Sequence, residues 1–345
     1  MRKKILITGA GGFIGSYLVE EALKQGFEVY AGVRASTNLE YLQDERINFI
    51  TLNFADKGQL TKEVEAFVQA NGKWDYIVHN MGITKTLDHF MFDKINFTYL
   101  KTFVDTLIAT NNVPEKFVYM SSLSAWRSDT KELYHIDDKE HPYPSSAYGR
   151  SKFRGELYLR SLKNFPFVAM RPTGVYGPRE KDYFEMIKLI KCGLDITVGF
   201  EQQYLTFIYV KDLVKAVFLA LEKGRDGEGY FLTDDVEYYT QKDFRKLVSK
   251  ALGKKFVLPI TVPLGLVRMV CNMSEKFANS KKVPVLNRDK YQILKQRDWT
   301  CDTSKAKSDL GYAADYNLEK GINECIAWWC AGIHGVTKSW TQLSD

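Results

Sequence analysis

Thr8-Gly9-Ala10-Gly11-Gly12-Phe13-Ile14-Gly15 stands between the apolar run Lys4 to Thr8 and an amphipathic stretch, Phe13 to Lys24, whose apolar residues recur at three and four. A strand that empties through a Gly-x-x-Gly-x-x-Gly turn into a helix is suited to a dinucleotide pyrophosphate. Gly9 permits the tight turn, Gly12 lets backbone approach phosphate without a side chain in the way, and Gly15 lets the helix pack closely on the strand. The helix N-terminus then offers free amides and a favourable dipole. A glycine turn without a ligand is the competing reading, and the agreement of strand, turn and helix argues against it.

Further apolar runs follow at Phe27 to Val33, Ile47 to Asn53, Tyr76 to Asn80, Phe117 to Ser121 and Phe167 to Arg171. Between them lie helical patterns at Lys57 to Ala70, Phe92 to Thr110 and Tyr148 to Leu162, and Thr37 to Glu40 fits the capping box of a short helix. Such alternation predicts an α/β fold, a parallel sheet with helices on both faces. Past Pro172 the rhythm loosens into helices at Asp182 to Lys191, Lys211 to Glu222, Gln241 to Leu252 and Leu318 to Trp329. A chain of 345 residues exceeds one ordinary core. The division expected is residues 1–172 with 205–233 returning to them, a substrate-covering part from 173–204 and 234–330, and a tail over 331–345.

The composition, 45% hydrophobic and 26% charged, is that of a soluble globular protein. The formal charge of +6 reads as a mild surplus spread along the chain, with no run of five or six like charges, which argues against nucleic acid as a partner. Five cysteines form no CxxC pair and have no histidine at ligand spacing, so reduced thiols, a cytoplasmic location and no metal are expected. The N-terminus mimics a signal peptide until glycines and Glu20-Glu21 interrupt it. The stretch Phe256 to Cys271 is too short and too broken by Pro259, Pro263, Gly265 and Arg268 to span a bilayer.

The end of the second strand decides between NAD and NADP. An acid there would bind the adenosine ribose; the chain instead reads Val33-Arg34-Ala35-Ser36. Arg34 can hold a 2′-phosphate in a fork, which favours NADP with NAD still possible; a solvated surface arginine is the alternative. Asn53 and Phe54 after the third strand suit an adenine edge and face, against an ordinary turn capped by Asp56. Asn80, Met81 and Gly82 after the fourth are small or uncharged enough to run beneath a dinucleotide, and His79 reads as a core histidine.

Lys116 to Ser124 is a strand emptying into hydroxyls, and Tyr148 and Lys152 stand four apart on a helix, hence on one face. Free tyrosine, with a pKa near ~10, is a poor base. A neighbouring ammonium would lower that value, and Lys152 would also bond the nicotinamide ribose. Ser122 would polarise the substrate oxygen while Tyr148 moves the proton.

With these pieces in order the sequence resembles the extended short-chain dehydrogenase/reductases, the NAD-dependent epimerase/dehydratase family, over residues 3–330. Asn96, the segment Arg171 to Pro178, Phe207 to Leu213 and Trp299 to Ala306 also match. The resemblance implies a doubly wound Rossmann sheet with a smaller C-terminal substrate domain, a small-molecule substrate, and a homodimer pairing the helices around Phe92 to Thr110 and Tyr148 to Leu162. It adds Phe13, Ile14, Asn96, Pro172 and Val175 to the cofactor-binding set. Departures narrow the chemistry. The dehydratases of the family carry Asp-Glu after the catalytic hydroxyl, where this chain has Leu123 and Ser124. The family's diphosphate-gripping arginine is replaced by Leu205, with Arg179, Arg288 or Arg297 as candidate substitutes. The expected activity is exchange of hydride between nicotinamide and a secondary alcohol or ketone on a relatively apolar substrate. The alternatives are a nucleotide-sugar epimerase using the same triad, or a Rossmann-shaped binding protein without turnover.

Overall fold

Ile5, Leu6 and Ile7 are all fully buried, yet Ile5 and Ile7 join one apolar cluster and Leu6 another. Only a strand covered on both faces divides consecutive residues in this way. The computed structural model describes residues 2–127, 135–137, 142–276, 284 and 286–335. In chain order the first half comprises β1 (Lys4–Thr8), α1 (Phe13–Lys24), β2 (Glu28–Gly32), β3 (Asn48–Ile50), α2 (Lys57–Asn71) and β4 (Tyr76–His79). A single turn, α3 (Phe90–Phe92), passes through π-helical Asp93–Thr98 into α4 (Tyr99–Ala109), followed by β5 (Lys116–Met120), α5 (Ala147–Ser161) and β6 (Phe167–Pro172).

The second half adds β7 (Gly174–Tyr176), α6 (Asp182–Lys191), β8 (Leu194–Val198), β9 (Phe207–Tyr209), α7 (Val210–Lys223) and β10 (Gly229–Leu232). It ends with α8 (Gln241–Ala251), β11 (Leu258–Val262), α9 (Leu264–Lys276), α10 (Arg288–Leu294) and α11 (Leu318–Gly335).

Seven parallel strands form one sheet in the order β10-β6-β5-β4-β1-β2-β3. Helices α1 and α7 pack on one face; α2, α4 and α5 pack on the other. The winding reverses between β1 and β4, so a crevice opens at the carboxyl ends of those two strands. The parallel sheet with helices on both faces is the one the alternation predicts, and its order is the doubly wound Rossmann arrangement that the resemblance implies. A third cluster, built from α6, α8 and α11 around Tyr176, Phe207 and Tyr209, carries the C-terminal part.

Three local expectations fail for physical reasons. Thr37 caps no helix: its hydroxyl accepts from Arg34 N at 2.9 Å, and Glu40 N is taken by Asn38. The third strand is only Asn48–Ile50, because at the sheet edge just one neighbour holds it. Helix α11 continues to Gly335, into the segment read as a tail; residues 336–345 lie outside the described ones. The two-stranded pairs β7 with β9 and β8 with β11 were not foreseen, being three to five residues long.

Candidate active site

The glycine turn lies at the reversal of the sheet. Gly9 has φ +67°, and a Cβ there would stand 3.0 Å from Met81 Cα, so the turn rests directly on the loop after β4. A Cβ on Gly15 would fall 2.1 Å from Gly9 O, a contact no adjustment of a side chain relieves. Gly12 is exposed, has no side-chain cap, and bounds a surface of bare backbone at the N-terminus of α1. These features fit a dinucleotide pyrophosphate. Phe13 and Ile14 are half-buried, the former edge-on to Tyr17, and Val175 packs against the same core; Pro172 is buried at the end of β6.

The loop carrying Arg34 folds back against the turn, since a Cβ on Gly11 would lie 2.2 Å from Thr37 Cγ2. Arg34 is exposed, and its guanidinium pairs with no carboxylate among the described residues. Beyond β3 the side chains are spent locally. Asn53 donates to Gln59 at 2.9 Å and accepts from Ala55 N, Asp56 caps α2 through Gln59 N, and the Phe54 ring packs edge-on to Phe103 and His79. The capped turn is thus formed, with Asn53 inside it and Phe54 packed beside it. Asn80 reaches Gly9 O at 3.5 Å, and Met81 N donates to Thr8 Oγ1 at 3.2 Å, which joins the β1 and β4 loops. His79 is buried beside Thr8, and desolvation, with Lys152 adding to it, lowers its pKa to about 3. It stays neutral, in keeping with a core role.

Ser122 follows β5 and caps a short 3₁₀ turn, Leu123–Ala125, accepting from Ser124 N at 3.1 Å. Tyr148 and Lys152 project from the first turns of α5, whose N-terminus Ser146 caps. The neighbouring Ser122 hydroxyl favours the ionised Tyr148 phenol. Burial nonetheless pushes that phenol up to about 12, and Asp289 adds to the rise. The lowering expected from Lys152 is absent, because its ammonium turns away to donate to Met120 O at 2.9 Å. Lys152 is 4% exposed, and burial brings its pKa down to about 8. A Cβ on Gly82 would stand 3.0 Å from Lys152 Nζ and 2.9 Å from Asn96 Oδ1, so glycine leaves that space open above the lysine. Asn96, fully buried in the π-helical turn, accepts from Ile83 N and donates to Ile83 O and Ser151 Oγ. It therefore shapes the loop under which Lys152 lies.

Asp289 was not found from sequence. It stands second in α10, far along the chain, and accepts from Ala147 N at 2.5 Å, tying the C-terminal part to the start of α5. A carboxylate held at a helix N-terminus is favourable, but nothing in the local sequence names its partner. Arg171 forms a buried pair with Glu156. Arg179 is held by Ser16 and Glu20, Arg288 by Glu275 and Asn272, and Arg297 by Glu201. None of the three stands free to replace the arginine missing at Leu205. All five cysteines are free thiols, and no group of three or more metal-ligating side chains occurs among the described residues.

The low pKa of Lys152 is also a statement about stability. Below about 8 the folded protein bears the full penalty of a buried ammonium; between about 8 and 10.5 the unfolded chain binds the extra proton, so this penalty fades as pH rises. Lys152→Met is expected to raise stability at pH 7 on the order of 1 to 2 kcal/mol, after allowing for the bond lost at Met120 O. Urea unfolding at pH 7 and near pH ~10 checks it. A variant no more stable than wild type at pH 7 would refute the buried-charge account.

A family model, the NAD dependent epimerase/dehydratase family, matches residues 5–232. The chain belongs to that family, the extended short-chain dehydrogenase/reductases, and is an enzyme of it. It is 24% identical to the decarboxylating sterol-4-alpha-carboxylate 3-dehydrogenase of Dictyostelium discoideum, over 93% of this chain and 99% of the relative. It is 27% identical to human dTDP-D-glucose 4,6-dehydratase, over 96% and 91%. Among solved structures, UDP-glucose 4-epimerase from Thermotoga maritima superposes with a TM-score of 0.76 at 21% identity, covering 96% of this chain and 99% of the other. The dTDP-glucose 4,6-dehydratase of Bacillus anthracis, solved with NAD, gives 0.74 at 19%, covering 96% and 98%. No helix among the described residues is long and apolar enough to cross a membrane.

Proposed function

We propose that the protein is an NADP-preferring oxidoreductase that interconverts a ketone and a secondary alcohol on a relatively apolar substrate. The observation that carries this reading is the placement of Tyr148 beside Ser122, with the buried Lys152 one helical turn on, at the crevice onto which the glycine turn opens. Leu123 is buried in an apolar cluster with Trp126 and Phe231, so among the described residues the position after Ser122 offers no second acid to support dehydration. The missing diphosphate arginine tells against a sugar nucleotide, and the likeness to a sterol dehydrogenase points the same way.

The turn at Gly9, Gly12 and Gly15 would hold the pyrophosphate, Arg34 the 2′-phosphate, and Lys152 with the Gly82 loop the nicotinamide end. When bound, the nicotinamide supplies or accepts the hydride. Tyr148, kept protonated by burial, donates its hydroxyl proton to the ketone oxygen. Ser122 donates a second hydrogen bond to the same oxygen and holds it in line with the phenol. Lys152, protonated below about pH 8, places positive charge under the site. Its loss of a proton above that value should make ketone reduction fall as pH rises through about 8, while the phenol remains an acid.

Following NADPH oxidation over a panel of apolar ketones and sugar nucleotides tests the proposal. Net consumption with ketones supports it; isomerisation of a sugar nucleotide without net consumption establishes the epimerase instead. For the cofactor, Arg34→Glu places a carboxylate where the 2′-phosphate would lie, and losing a charged bond is expected to weaken NADPH by about one to two decades. Fluorescence titration with NADPH and NADH reads this out. Equal affinities in the native protein would make Arg34 an ordinary surface residue.

A further inference from the structure

Ten of the 48 cations, but only one of the 42 acids, lie between residues 244 and 288. That stretch carries +9 and the rest of the chain −3, so the surplus is concentrated there and not spread as the sequence reading had it. The same stretch holds β11 and α9. On α9, Leu266, Met269, Val270 and Met273 are 44, 51, 39 and 50% exposed. Their spacing puts them in one stripe about 100° wide. The stripe is turned away from Val267 and Cys271, the residues by which the helix is anchored. Beside it, the register of Ile260 with Ile196 places Ile196, Leu258 and Ile260 on one face of the two-stranded sheet, each at least 39% exposed. Lys254, Lys255, Arg268 and Lys276 are exposed and pair with no carboxylate among the described residues.

An apolar stripe of this size on a surface helix is unusual without a partner. We propose that α9, with the basic end of β11, is a docking surface for an anionic lipid bilayer, lying in the interface plane. The charge selects this occupant. A second copy of the chain would bring Lys254, Lys255, Arg268 and Lys276 against the same four cations, whereas acidic headgroups complement them while the stripe enters the acyl boundary.

The surface also adjoins the site. Glu275 of α9 lies 4.0 Å from His89 and accepts from Arg288 N at 2.6 Å, and the next residue, Asp289, holds the N-terminus of the catalytic helix. Phe90, 84% exposed, stands beside His89. Docked in this way, the protein would draw an apolar substrate from the bilayer; that consequence rests on the proposed activity, and the docking does not.

Sedimentation of the full chain with vesicles separates the outcomes. Vesicles of phosphatidylcholine with phosphatidylserine should bind the protein, pure phosphatidylcholine far less, and about 0.5 M salt should release most of it. Met269→Glu with Met273→Glu, and separately Lys254→Glu with Lys255→Glu, should each weaken binding roughly tenfold or more. These side chains are exposed, and circular dichroism melting checks that the variants fold; the two pairs fail independently. Equal binding to both vesicle types, no binding, or variants that bind like wild type would overturn the proposal. So would light scattering that finds a dimer converted to a monomer by the methionine pair, which would make a second copy the occupant. Turnover of a water-soluble ketone, measured without vesicles, reports on the activity alone.

Discussion

Tyr148→Phe is expected to lower ketone turnover by about 10²- to 10⁴-fold, the range for loss of a positioned general acid, while NADPH still binds. The ring keeps its place: it meets Phe92 edge-on at 6.1 Å, and α5 is capped by Ser146 and anchored by Asp289 whatever the phenol does. Only the hydroxyl beside Ser122 disappears. Because burial holds that phenol near 12, the acid form persists throughout the working range, and the reduction direction is the one the resting site favours. Stopped-flow NADPH oxidation at saturating ketone gives the turnover, and fluorescence titration gives the cofactor affinity. Activity within about tenfold of wild type would remove Tyr148 from the proton-transfer role, since the smallest expected loss exceeds that. A loss of cofactor binding in parallel would point to a disturbed fold and not to missing chemistry.

The sheet could be read from the chain because its signals are local. In β1 every residue from Ile5 to Ile7 is apolar since both faces are covered, Gly9 is demanded by its own φ of +67°, and Gly15 by contact with Gly9 and Ala10 a few residues before it. Ser122, Tyr148 and Lys152 could be proposed for the same reason, strand end and helix spacing being visible in short windows. What escaped depends on distant partners. Asp289 caps a helix that starts 142 residues earlier. Lys152 was expected to tune Tyr148, but its bond goes to Met120 O, which no pattern announces. Thr37 satisfies the residue rule for a helix cap and yet serves the Arg34 turn, because the loop must fold against Gly11. The exposed stripe of α9 looks like an ordinary amphipathic core face in sequence; only burial shows that the solvent side is apolar as well.

Glu156→Gln is the second substitution with a large expected effect, and it acts on the frame that holds the site. Glu156 and Arg171 are both fully buried. The carboxylate accepts from Arg171 Nε and Nη2, the latter at 2.8 Å, from Trp126 Nε1 at 3.1 Å, and from the Ser121 hydroxyl. The guanidinium in turn lies 3.8 Å over the Trp126 ring, and a Cβ on Gly229 would fall 2.3 Å from Arg171 Cζ, so the strand beside it must carry glycine. Glutamine keeps the shape and removes the charge. Arginine cannot shed its proton in response, so a buried cation is left uncompensated, at a cost of about 3 to 5 kcal/mol. Arg171→Met should be milder, because Glu156 can take up a proton and become neutral. The double variant should recover part of the loss, and the urea midpoints of the four proteins give the coupling directly. Glu156 is four residues beyond Lys152 on α5, and Ser121 immediately precedes Ser122. Turnover in Glu156→Gln should therefore fall before global unfolding does, as the helix bearing Tyr148 loosens from the strand end bearing Ser122. Additive single-variant losses, or a Glu156→Gln protein as stable and active as wild type, would mean that the pair is held by its surrounding packing and that its charge does not position the site.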